Sequence, residues 1–174
     1  MELFGTAGIR GSARERVTPE LALAVGRAVG ADAVESAETG ENASRRPVVV
    51  VGRDGRTTGP ALAAAVEAGL ESAGADVRRI GVVPTPALAY ASRRRYGVML
   101  TASHNPPTDN GIKLFVDGEE YDRERERGVE AHVAAEGSPV AWDEWGIAET
   151  SDVLPAYRAA VLEYAKTHGA DATG

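Results

Sequence analysis

Two kinds of apolar spacing alternate along this chain. Pro47-Val48-Val49-Val50-Val51-Gly52 is a β-branched run without alternation, the mark of a strand buried on both faces in a parallel sheet under helices. Shorter runs at Ala75–Gly81, Gly97–Thr101 and Ile112–Val116 read as further strands, and residues 3–11 as a strand running into a glycine-permissive turn. Between the runs the spacing becomes helical. Thr18-Pro19-Glu20 starts a helix with a hydroxyl at the N-cap and proline at the first position, and Leu21, Val25, Ala28 and Val29 carry it to about Ser36. Leu62, Val66, Leu70 and Ala73 share one face over 59–73, which Gly74 closes. Pro84-Thr85-Pro86 turns the chain into a helix over 86–95. Residues 122–136 form a charged helix edged by Val129, His132 and Val133.

Ser151-Asp152 caps a last helix whose Tyr157, Val161 and Tyr164 form a stripe that needs a surface to lie against. The order of elements predicts an α/β fold: a three-layer α/β/α domain around a mostly parallel, mixed sheet of about four strands with one antiparallel edge. The first strand is expected beside the one at Gly97–Thr101. Residues 38–46 read as a polar surface loop. The looser stretch 137–147 holds Trp142 and Trp145, which are expected to pack down or to form a domain seam.

Composition narrows the function classes. The 174 residues suffice for one domain with a substantial core. There is no cysteine, hence no disulfide framework or thiolate metal site. His104, His132 and His168 are too scattered to suggest a zinc set, and His132 reads as a boundary residue. A net charge of −7 argues against nucleic acid as the main partner. No run is long enough to span a membrane and Met1-Glu2-Leu3-Phe4 does not open a signal peptide, so a soluble, cytoplasmic protein is expected. Asn42-Ala43-Ser44 fits a glycosylation sequon of the kind that arises by chance.

The candidate chemistry is concentrated in Thr101-Ala102-Ser103-His104-Asn105-Pro106 and its continuation Asp109-Asn110-Gly111-Ile112-Lys113. A hydroxyl, an imidazole, a carboxamide and an ammonium lie on a loop between two apolar runs, where a side chain can be held yet reachable. Pro106 and Pro107 exclude helix, and Asn110-Gly111 is a turn signal. Three readings of Ser103 stand. It can be an ordinary Ser/Asn turn bonding its own backbone. It can be a hydrolase nucleophile activated by His104, against which stand the absence of a G-x-S-x-G elbow and the rarity of facing neighbours in extended chain. It can carry a phosphoryl group whose charge Lys113 and nearby arginines offset. Gly52-Arg53-Asp54-Gly55-Arg56 lies at the carboxyl end of the valine strand, the edge where open α/β sheets bind ligands. Arg53 and Arg56 are there either ligand contacts, solvated loop charges, or partners of Asp54 that shape the turn. Arg10 is either a surface charge or a phosphate contact.

The stretch Thr101–Phe115 resembles the phosphoserine loop of the α-D-phosphohexomutases, the phosphoglucomutase, phosphomannomutase and phosphoglucosamine mutase enzymes. Leu3–Gly11 is similar to that family's N-terminal signature, Val51–Arg56 to its G-x-D-x-R segment, and Pro84-Thr85-Pro86 to its proline turn. The four motifs occur in the family's order. The resemblance covers residues 1–150 well, as a first domain carrying the phosphoserine loop, and makes 151–174 a helical lead-in to a second domain. It implies that phosphorylated Ser103 interconverts hexose 1- and 6-phosphates through a bisphosphorylated sugar, which also serves as activator. It makes Lys113 the general acid/base or a charge partner for the reacting oxygens, His104 and Asn105 loop-orienting groups that bond phosphate oxygens, and Arg10 a phosphate contact, with Arg53 and Arg56 supporting the loop. It also implies Mg²⁺ on a phosphoryl oxygen of Ser103. The family's carboxylate metal loop, D-x-D-x-D-R, does not occur in this sequence, so the implied partners are the remaining three domains, and negligible turnover is expected of the chain alone. The alternative is a non-catalytic phosphate-binding or protein-interaction module derived from that domain.

Overall fold

The computed structural model describes residues 2–5, 8–38 and 46–169. Met1, residues 39–45 of the polar loop with its sequon, Thr6 and Ala7 of the N-terminal signature, and the last five residues lie outside them. The chain runs β1 (Ile9–Ser12), α1 (Pro19–Glu38), β2 (Val48–Arg53), α2 (Gly59–Ser72), β3 (Asp76–Val82), α3 (Thr85–Ala91), β4 (Tyr96–Leu100), β5 (Asp109–Val116), β6 (Glu119–Glu120), α4 (Arg123–Ala134), β7 (Ala148–Thr150) and α5 (Leu154–Thr167). One mixed sheet has the order β1-β5-β4-β2-β3-β7, with β6 on β5. The pairs β4–β2, β2–β3 and β3–β7 are parallel, and β5 turns back antiparallel to β4, β1 and β6.

The three-layer α/β/α reading therefore holds, with seven strands instead of about four. Of these, β1, 4 residues long, is the strand read within 3–11, and the ones not foreseen, β6 and β7, are 2 and 3 residues long. Edge segments that short carry neither a buried run nor an alternation, and only pairing defines them. The first strand also sits one place further out than expected: β5 lies between β1 and β4.

The cores follow the alternation of each strand. Val49 and Val51 of β2, Val98 and Leu100 of β4 and Ile112 and Leu114 of β5 face α1, α2 and α4. Val50, Met99 and Phe115 face α3 and the start of α5. The valine run is thus apolar on both faces because both are covered. On the first face, Glu130 of α4 accepts the Leu3 and Phe4 N–H groups at 2.8 and 3.2 Å, which ties the N-terminal segment to that helix.

Trp142 does not pack down: it is 88% exposed, and Trp145 and Ile147 are exposed beside it. The backbone of 140–147 is held by bonds to Ser72, Glu71 and Asp76, which leaves those side chains outside. On α5, Tyr157 packs against Tyr90 with ring centroids 5.9 Å apart, while Val161, Leu162 and Tyr164 remain exposed.

Under α4, the buried Tyr121 donates to Asp32 Oδ2 at 3.0 Å and stands edge-on to Tyr96. Burial, and then the Asp32 carboxylate, push the Tyr121 phenol well above the usual tyrosine range. The folded protein keeps this proton at a pH where the unfolded chain has lost it, so stability is fully present below about pH 10 and falls above it by about 1.4 kcal/mol per pH unit. Alkaline titration should show tyrosinate absorbance from Tyr121 only as the fold is lost, and Tyr121→Phe should flatten that limb of the stability curve.

Candidate active site

The loop 101–108 leaves the carboxyl end of β4 beside the carboxyl end of β2, where Arg53 is in register with Leu100. Asp54 N–H donates to the Leu100 carbonyl at 3.0 Å, so the two strand ends are joined. Ser103 projects from this loop, exposed, with φ at +52°. That left-handed conformation is uncommon for a serine and persists only where surrounding bonds hold it.

It also changes the relation between neighbours. Ser103 Oγ lies 3.0 Å from His104 Nδ1. The expectation that adjacent side chains would not face one another assumed extended chain, and the positive φ removes that assumption.

The other candidates are distributed as follows. Asn105 donates from Nδ2 to Asp109 Oδ2 at 3.0 Å and from its backbone to the Ala102 carbonyl at 3.0 Å, so it braces the loop. Arg10 pairs with Gly111 across β1 and β5. A Cβ on Gly111 would lie 2.5 Å from the Thr101 carbonyl oxygen and 3.1 Å from Arg10 Cγ, so the arginine stem crosses that glycine at the foot of the loop. Arg10 Nε is buried with no hydrogen-bond partner among the described residues. Lys113 shares the sheet face of Arg10, since position 113 is two residues past 111. Its ammonium pairs with Glu120 of β6 at 2.5 Å. Arg53 donates to the Asp54 carbonyl at 3.2 Å and packs beside Gly59 at the start of α2. Arg56 turns its guanidinium into the loop, in a salt bridge of 3.1 Å with Asp54, as the turn-shaping reading supposed.

Asn110-Gly111 is not a turn. Both residues lie in β5; Asn110 is fully buried and donates to Thr58 Oγ1 at 2.9 Å. Asn110 is satisfied at the entrance to α2, and Gly111 admits two carbonyl oxygens that any side chain would strike.

Two contributors, Glu120 and Thr58, went unread in the sequence, and two that it named, Asp54 and Thr101, make bonds it did not give. Asp54 Oδ2 accepts Thr101 Oγ1–H at 2.8 Å, and Thr101 Oγ1 accepts the Ser103 N–H at 3.1 Å. Glu120 compensates Lys113, and Thr58 holds Asn110. A threonine at a strand end followed two residues later by a serine is a local signal for the Thr101 bond; Glu120 and Thr58 have none, because their partners are brought by the sheet. Among the described residues no group of three or more His, Asp or Glu is placed to hold a metal. No helix among them is long and apolar enough to cross a membrane.

The sequence profile described as phosphoglucomutase/phosphomannomutase, alpha/beta/alpha domain I, matches residues 1–139. The chain belongs to the phosphoglucomutase/phosphomannomutase family. It is 46% identical over 168 residues to a phosphopentomutase of Thermococcus kodakarensis, covering 94% of this chain and 35% of that protein. It is 48% identical over 161 residues to a phosphoglucosamine mutase of Salinispora arenicola, covering 87% and 34%. An X-ray structure of a phosphoglucomutase/phosphomannomutase family protein of Burkholderia thailandensis superposes with a TM-score of 0.78 at 30% identity, covering 92% of this chain and 35% of that one. The chain thus spans about a third of the length of these relatives.

Proposed function

We propose that this chain is the phosphoserine domain of a phosphosugar mutase. The observation that carries the reading is an exposed, left-handed Ser103 on a loop whose foot is crossed by the stem of Arg10, an arginine whose Nε is buried without a partner among the described residues. A buried cationic donor left unpaired is costly, and a phosphoryl oxygen is the acceptor that suits it.

In this mechanism the phosphoryl group on Ser103 passes to a hydroxyl of a sugar monophosphate. The P–Oγ bond breaks as the P–O bond to sugar forms, and the hydroxyl proton moves to a base. Lys113 takes that part as the neutral amine, once a substrate oxygen replaces Glu120 beside it. His104, 3.0 Å from Oγ, returns a proton to the released serine. The bisphosphorylated sugar turns over and gives its other phosphate back to Ser103. Protein groups position the reactants and neutralise charge, as phosphoryl transfer requires. A phosphoryl oxygen on Ser103 would be the point at which this chain holds Mg²⁺, whose charge would offset that of the transferring group. Sugar recognition and the remaining phosphate contacts belong to domains beyond 1–150, with 151–174 as the lead-in, so the isolated chain has negligible turnover. The expected substrates are hexose 1- and 6-phosphates; the relative named phosphopentomutase adds pentose phosphates as a class to be assayed.

The test uses a chimera in which residues 1–174 replace the matching third of a relative. Incubated with sugar bisphosphate and digested, it should yield phosphate on the peptide carrying Ser103. The contact between Ser103 and His104 also suits a serine hydrolase. Labelling of Ser103 by a fluorophosphonate, with no phosphate found there, would replace the mutase reading by that one.

A further inference from the structure

Arg56 has no N–H left for a ligand. Its Nε donates to Asp54 Oδ2 at 3.1 Å, Nη1 to the Pro106 and Asp109 carbonyls at 2.6 and 3.0 Å, and Nη2 to the Ser103 and Asn105 carbonyls at 3.0 and 2.9 Å. A guanidinium carries five N–H donors, and all are used on a side chain only 12% exposed. One planar cation therefore gathers four carbonyls from across the loop.

The direction of the Ser103 carbonyl has a consequence for the next amide. No described peptide bond is cis, and in a trans peptide the C=O and N–H point opposite ways. With the Ser103 carbonyl turned in to Arg56, the His104 N–H points away from it, and it donates to no described residue. The Asn105 and Pro106 carbonyls precede prolines, so their peptide bonds carry no N–H. Ser103 is held at both ends: its N–H by Thr101 Oγ1, which donates to Asp54, and its C=O by Arg56, which donates to the same carboxylate.

We propose that Arg56 is a positioning residue that, by holding the Ser103 carbonyl, turns the Ser103–His104 amide outward as an anion donor for the phosphoryl group on Ser103. The donor role rests on the reading of Ser103 as phosphoryl carrier; the hold on the loop does not. Lysine cannot substitute, because its ammonium is a point donor that cannot reach four spread carbonyls in one plane.

The test has two arms in the 1–174 chain, each with Arg56, Arg56→Ala and Arg56→Lys. The first measures amide hydrogen exchange without phosphate. Both variants should speed exchange at Ser103 and Asn105 at least tenfold while β2 and β4 amides keep their protection, and millimolar guanidinium should restore the Arg56→Ala loop but not the Arg56→Lys loop. Unchanged exchange at Ser103 and Asn105 overturns the proposal. The second arm places phosphoserine at 103 by cotranslational incorporation and follows the ³¹P signal and the His104 amide proton with pH. With Arg56 the His104 amide should move downfield as the phosphate becomes dianionic, and the phosphate should titrate below the value of about 6 of the free group. Both variants should lose the amide response and titrate about half a unit higher. An amide response that is the same in all three proteins overturns the donor role. A phosphate that titrates as the free group even with Arg56, beside a positive first arm, overturns Ser103 as carrier and leaves Arg56 as the brace of the loop.

Discussion

Ser103→Ala, made in a chimera carrying residues 1–174 in place of the matching third of the Thermococcus kodakarensis phosphopentomutase, should lower kcat by a factor on the order of 10⁴ or more, about 5.5 kcal/mol of lost transition-state stabilisation. The same change should leave the thermal midpoint within about 2 °C, because surface substitutions away from packed features stay within about 0.5 kcal/mol. The hydroxyl is exposed and among the described residues bonds only His104, so its removal opens no cavity. Alanine also leaves intact the backbone bonds from Ser103 N–H to Thr101 and from Arg56 to the Ser103 carbonyl, so the loop keeps its shape. The effect then falls on chemistry, and substrate binding should persist with KM changed by less than about tenfold, as expected when an interaction made only along the reaction path is removed. A kcat within tenfold of the parent chimera would show that Ser103 is not the carrier. Steady-state rates with glucose 1-phosphate, glucosamine 1-phosphate and ribose 1-phosphate in the same chimera also reveal which sugars the assembled site accepts.

The second large effect is on stability. Where α1 crosses α2, Gly26 and Gly69 face backbone. A Cβ on Gly26 would stand 2.3 Å from the Val66 carbonyl oxygen, and one on Gly69 would stand 2.3 Å from that of Leu23 and 2.7 Å from Arg27 N. Main-chain atoms in a helix cannot swing aside as a side-chain end can, so the two helices must separate. That separation would open the layer formed by Val25, Val29, Leu62, Val66 and Leu70 over the valine strand. Overpacking of a core commonly costs about 1–3 kcal/mol, and Gly69→Ala should reach the upper end, about 3 kcal/mol. For a domain of this size that is about 6–12 °C in the thermal midpoint. Gly128→Ala is the control. Gly128 lies inside α4 with nothing within 4 Å of its Cβ position and no positive φ, so alanine there should raise stability by about 0.5–1 kcal/mol. Equal effects at positions 69 and 128 would mean that the crossing is looser than the structure shows.

What the sequence determined by itself is local and patterned. The valine run meant a strand covered on both faces, because a residue's burial on alternate sides follows from the period of a strand. The 3.6-residue stripes read from Pro19 to about Ser36 and over 59–73 placed α1 and α2, found at 19–38 and 59–72, since only helices bring those apolar positions together. The motifs drew attention to Ser103, His104, Asn105, Lys113, Arg10, Arg53 and Arg56, because a cluster of polar groups between buried runs is legible without coordinates. The tertiary structure decided what each of these touches. Pairing of β1 with β5 sets Arg10 at the foot of the loop, although the two strands are about a hundred residues apart in sequence. Register between β5 and β6 sets Glu120 against Lys113. The joint end of β2 and β4 turns Arg56 inward, where its planar fork meets four carbonyls that no spacing rule connects. Asn110-Gly111, which reads as a turn from its residue types, became strand because Thr58 satisfies the buried amide and two neighbouring carbonyls occupy the space above the glycine. Partners such as these depend on distances closed by long-range pairing, and a one-dimensional pattern records periods and residue types, not those distances.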